Sequence, residues 1–82
     1  MTATFADAPE ALDDLAPSAK LIWHVLANAD AEELTQRQLV TRVPVYPTTV
    51  RYSLRDLEAA DCIASRPCVT DARQRHYRAL TR

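Results

Sequence analysis

Arg51 and Arg55 stand one helical turn apart, with Tyr52 beside them, and these three side chains carry the most usable chemistry in the chain. The stretch Pro47 to Ala60, PTTVRYSLRDLEAA, reads as one helix. At 3.6 residues per turn, Val50, Leu54 and Leu57 share an apolar stripe, with Ser53 and Ala60 at its edge. Thr48, Arg51, Tyr52 and Arg55 fall on the opposite side, within about 100° of one another. Asp56 and Glu58 lie mostly at the margins. An ordinary solvated face mixes charge signs more evenly, so this face is suited to a polyanion, met through charge-assisted hydrogen bonds.

Other chemistries find little support. There is no Gly, so a phosphate-cradling glycine loop is excluded, and no nucleophile–base pair or paired carboxylates in a plausible cleft can be traced. The chain is therefore expected not to be an enzyme and to need no cofactor. Cys62 and Cys68, on one extended strand, would stand about 20 Å apart at about 3.3 Å per residue, far beyond disulfide reach. Only His24 and His76 could join them around zinc, so no metal is expected. Cys62 reads as a core residue and Cys68 as a loop or strand-edge thiol, the latter a candidate redox sensor if exposed and acidified.

Eighty-two residues make one small domain. The formal charge of −1 hides an asymmetry: residues 1–33 carry seven acids and one base, whereas residues 34–82 carry four acids and nine arginines. The second half is thus the part that meets an anionic partner. No apolar run is long enough to cross a membrane, and the N-terminus lacks the flank of a signal peptide, so a cytoplasmic address is expected.

The elements that must position the arginines follow in order. Residues 1–16 read as an N-terminal arm or short helix, starting at Asp7 with Pro9 and Glu10 behind it and running through Leu12 and Leu15. Ser18 is expected to cap a helix reaching about Ala29, whose core arc holds Leu21, Ile22, Val25, Leu26 and Ala29 over about 140°. Trp23 lies outside that arc, either under Leu12 or Leu15 or at a subunit contact. Asn28 or Asp30 is expected to take a positive-φ turn position. Leu34 reads as a bridging strand residue, and Thr35 caps a short helix from Gln36 to about Arg42 with Leu39 and Val40 inward. Val43-Pro44-Val45-Tyr46-Pro47 cannot stay helical, since each proline biases its predecessor towards extended backbone. Short helix, tight turn and longer helix make a helix-turn-helix. Beyond Ala60, Asp61 stands in for a helix-ending Gly, and strands around Ile63 and from Gln74 to Leu80 flank a turn at Val69 to Arg73.

The segments LTQRQLVTRV, TVRYSLRDLEAADCI and DARQRHY resemble the winged helix-turn-helix domain of MarR-like regulators over about residues 15–80. The resemblance implies a mainly α fold with a small β hairpin (α+β): three core helices, a two- or three-stranded wing sheet and a short N-terminal helix, with the DNA-binding domain at 17–82. It departs at Asp61, where the family usually has Gly, and the 82 residues do not include the long C-terminal helix through which many members dimerise. The N-terminal segment, with Leu12, Leu15 and Trp23, is the candidate substitute for a homodimer contact.

The resemblance also implies sequence-specific binding of double-stranded DNA, with Pro47–Ala60 as the major-groove recognition helix of a transcriptional regulator. Arg51 is the candidate for bidentate contact to guanine O6 and N7; Thr48 and Thr49 would meet a thymine methyl or a phosphate. Tyr52 and Arg55 would hold the backbone, as would Gln36 and Arg37 on the preceding helix. Arg73 and Arg75, in the wing around Val69–Gln74, would reach an adjacent minor groove or backbone. This reading requires the arginines of the helix and of the hairpin to share one exposed surface. The alternative is a winged-helix module that binds protein in a larger assembly.

Overall fold

Thr35 and Gln38 decide where the helical pair begins. The Thr35 hydroxyl accepts from the Gln38 backbone N–H at 3.2 Å, and the Thr35 N–H donates to Gln38 Oε1 at 2.8 Å. This reciprocal capping box stabilises the short helix by about 1 kcal/mol. The computed structural model describes residues 8–71 and 73–81, so the expected cap at Asp7 lies outside the described residues. A 3-10 helix spans Glu10–Asp14; α1 is Pro17–Ala27, β1 Leu34–Thr35, α2 Gln36–Arg42, α3 Pro47–Ala59, β2 Ile63–Pro67 and β3 Arg75–Ala79. The result is an α+β domain of three α-helices against a three-stranded antiparallel sheet ordered β1-β3-β2.

The register places Tyr77 opposite both Leu34 and Ser65, so β3 is the central strand that ties the bridging residue to the hairpin. Each helix turns its apolar stripe to one core, which holds Ile22, Trp23 and Leu26 of α1, Leu39 of α2, and Val50, Leu54 and Leu57 of α3. Leu12 joins the same core, and Cys62 and Ile63 close it beneath the sheet. Asp61 has φ 60°, the one positive φ among the described non-glycine residues. An aspartate tolerates this left-handed position better than most residues, and the chain turns there from α3 into β2.

Four expectations need correction. Ser18 does not cap α1: Pro17 occupies the first turn, Ala16 is the cap, and the Ser18 hydroxyl instead lies 3.1 Å from that of Ser53 on α3. Asn28 has φ −106°, and its side chain closes the last turn on the His24 carbonyl, so neither it nor Asp30 takes positive φ. Leu21 is 37 % exposed rather than in the core. Trp23, expected off the core face, is fully buried. The buried stripe of α1 is Ala19, Ile22, Trp23 and Leu26, rotated from the arc that the larger aliphatic side chains suggested.

Trp23 does more than fill volume. Its Nε1 donates to the Cys62 carbonyl at 3.0 Å and to the Leu80 carbonyl at 3.2 Å, while the Leu80 N–H also donates to the Cys62 carbonyl at 2.9 Å. One indole therefore fastens both ends of the hairpin base to α1. With Trp23 and Leu12 buried and Leu15 half-buried, the candidate subunit contact through these three side chains has no exposed tryptophan to offer. The buried indole is used inside the domain.

Candidate nucleic-acid interface

The face of α3 is set by what lies behind it. Tyr46 precedes the helix in extended conformation, Pro47 fixes its first turn, and Val50, Ser53, Leu54 and Leu57 are buried. Thr48, Arg51, Tyr52 and Arg55 are left exposed, and Thr49 is half-buried. The Arg51 guanidinium carbon lies 5.9 Å from the Tyr52 ring centroid and that of Arg55 lies 5.7 Å from it. Each contact is worth about 0.5–1 kcal/mol at an exposed site, enough to bias both arginines towards the ring. Tyr52 therefore gathers two positive charges at one place on the surface.

A second cluster forms where α2 meets the hairpin. An open groove of about 600 Å³ is walled by Gln36 and Arg37 on one side and by Asp71, Arg73 and Arg75 on the other. Val40 and Tyr77 contribute its apolar lining. The structure thus brings Gln36 and Arg37 together with Arg73 and Arg75. The five α3 residues do not line this groove, so the nine expected contact residues fall into two groups.

One arginine of the hairpin, outside both clusters, is paired with a carboxylate. Arg66, on β2, donates its Nε to both Glu33 oxygens at 2.8 and 3.0 Å, and a terminal nitrogen lies 2.7 Å from Oε1. That hydrogen bond holds the Glu33 carboxyl below its ordinary value, although solvent screening keeps such an exposed pair weak. Here the acidic first third does meet the hairpin. Among the described residues, Arg37, Arg51, Arg55, Arg73 and Arg75 have no such carboxylate partner. Arg75 donates its Nε to Ser65 at 3.1 Å, and Ser65 donates to Glu58 of α3 at 2.6 Å, a short chain of bonds linking hairpin to helix.

Two exposed apolar residues escaped the sequence reading. Tyr46, at the head of α3, is 82 % exposed, and Val69, at the hairpin tip, is 91 % exposed. Placement between Pro44 and Pro47 is the signal that could have marked Tyr46, since it cannot be drawn into either helix.

The cysteines diverge as their positions require. Burial raises the Cys62 thiol above its usual value. Cys68, half-buried, is lowered to about 7, chiefly by the Thr70 hydroxyl 3.3 Å away, then by backbone N–H groups and the His76 side chain. Alkylation with iodoacetamide is expected to modify Cys68 with a rate that climbs through about pH 7, while Cys62 stays protected in the folded protein. Equal labelling of the two thiols, read by mass spectrometry, would contradict this. Among the described residues no group of three or more His, Cys, Asp and Glu side chains is placed to hold a metal ion. None of the helices in those residues is long and apolar enough to cross a membrane.

No known protein family, no curated protein and no solved structure matches this chain.

Proposed function

We propose that the domain is a winged helix-turn-helix that binds double-stranded DNA with sequence preference, as a transcriptional regulator of the MarR-like kind. The observation that carries this reading is the exposed Arg51–Tyr52–Arg55 cluster on the second helix of the α2–α3 pair, backed by a fully buried apolar stripe. Such a helix enters the major groove with the residues near its start at the base edges. Arg51 reads guanine, and Thr48 and Thr49 meet a methyl group or a phosphate. Tyr52 and Arg55 hold the backbone. Gln36 and Arg37 of α2 take phosphate oxygens, and Arg73 and Arg75 of the wing, across the same groove, take backbone or minor groove. Binding is the function; the domain performs no catalysis and uses no cofactor.

Electrophoretic shift of a random duplex at increasing salt tests the reading. The parent chain is expected to bind at low salt and to weaken steeply as salt rises, because each neutralised phosphate releases counterion. Arg73→Ala is expected to weaken every duplex alike and to flatten the log–log salt slope by about one unit. A parent chain that shifts no duplex at low salt would sink the DNA reading. The second reading, a winged-helix module that docks protein, is favoured by the exposed Tyr46 and Val69, and would then stand in its place.

A further inference from the structure

The groove between α2 and the hairpin differs in kind from the face of α3. The α3 cluster rides on an exposed helix surface, whereas the groove has two walls and about 600 Å³ of space, within the range of small-molecule sites. Arg37 stands on one wall, and Arg73 and Arg75 on the other. The one carboxylate there among the described residues, Asp71, is already occupied locally: Oδ1 accepts the Arg73 backbone N–H at 3.0 Å, and Oδ2 lies 3.5 Å from Gln74 Nε2. Arg75 has committed its Nε to Ser65, which leaves its terminal nitrogens for a ligand.

The charges fix the ligand class. Three guanidiniums against one carboxylate leave two positive charges, which a dianion neutralises and a monocarboxylate does not. Phosphate oxygens match the planar fork of an arginine on either wall. A bare phosphate fills only a small part of the groove, so the remaining space, lined by Val40 and Tyr77, suits an organic body attached to it. We propose that this groove is a binding site for a compact phosphomonoester, held at its phosphate by Arg37, Arg73 and Arg75 and at its apolar portion by Val40 and Tyr77. The site stands on its own geometry and does not require that the chain bind DNA.

Phenyl phosphate, a dianion near pH 7.5, is the probe, titrated into the full chain by calorimetry and by amide NMR, with inorganic phosphate and benzoate as comparisons. Saturable binding is expected, with the largest shifts at Gln36, Arg37, Val40 and Arg73 to Tyr77. Phenyl phosphate should bind about tenfold tighter than either comparison ligand. Arg37→Gln and Arg73→Gln should each weaken it by about tenfold, in proteins whose circular dichroism matches the parent, while Lys20→Gln on α1 leaves it unchanged. Benzoate binding as tightly as phenyl phosphate, inorganic phosphate doing so, shifts scattered over other arginines, or affinity untouched by both arginine variants would each overturn the assignment. Those outcomes are independent of any duplex shift, so this site and the DNA reading fail separately.

Discussion

Trp23→Ala is expected to destabilise the domain by about 3–5 kcal/mol, the usual range for deleting a fully buried large aromatic side chain. A domain of 82 residues has only roughly 4–12 kcal/mol of stability in total, so the loss removes a large part of it and, at the lower end of that range, unfolds the protein at room temperature. Denaturation followed by circular dichroism reads the loss, with a melting temperature lower by about 20 °C at the sensitivity of a domain this size. Most of the effect is lost packing. The Cys62 carbonyl keeps the Leu80 N–H after the indole is gone, whereas the Leu80 carbonyl loses its indole donor. Trp23→Phe keeps one aromatic ring in place while removing both indole hydrogen bonds and part of the volume, and is expected to cost less, about 1–2 kcal/mol. A Trp23→Ala protein as stable as the parent would mean that the indole does not anchor the hairpin base. The same variant bears on function, because the arginines of the hairpin are carried on the strands that Trp23 holds.

Arg51→Ala is expected to weaken binding to a preferred duplex by about 1–3 kcal/mol and to relax the preference at one base pair. Titration against a panel of duplexes that differ at single positions reads both effects. Equal weakening on every duplex would move Arg51 from base reading to phosphate contact, and no weakening would remove it from the interface. The neighbouring ring sharpens the test. Tyr52 lies under both guanidiniums, so Tyr52→Phe should preserve their placement and Tyr52→Ala should not. In a double-mutant cycle, Arg51 and Tyr52 should therefore couple by about 0.5–1 kcal/mol. Additive losses would mean that the ring and the guanidinium act separately.

Much of the architecture was legible because it rests on local rules. The prolines at 44 and 47 forbid a continuous helix, Thr35 and Gln38 satisfy a helix start within four residues, and Asp61 takes the backbone position that glycine usually fills. The apolar stripe of α3 was equally plain, since Val50, Leu54 and Leu57 repeat at helical spacing on a helix that is otherwise polar. Helix α1 is apolar almost all round, so periodicity does not say which side faces in. Counting large aliphatic residues chose Leu21 and Val25; packing chose Ala19 and Trp23.

The residue types alone determined which groups would face water on α3, because a helix that buries three aliphatic side chains on one stripe must expose what lies opposite. They also concentrated nine arginines in the last 49 residues, which no folding can undo. Only the tertiary structure decided which arginines keep their charge free. Arg66 meets Glu33, 33 positions earlier, and Arg37 meets the hairpin across a groove, contacts between segments remote in the chain. Tertiary structure likewise turned Trp23 from a residue outside the core arc, set under Leu12 or Leu15 or at a subunit contact, into the fastening of the sheet. Its indole finds its acceptors 39 and 57 positions away, and a hydrogen bond over such a separation is invisible until the chain has closed on itself.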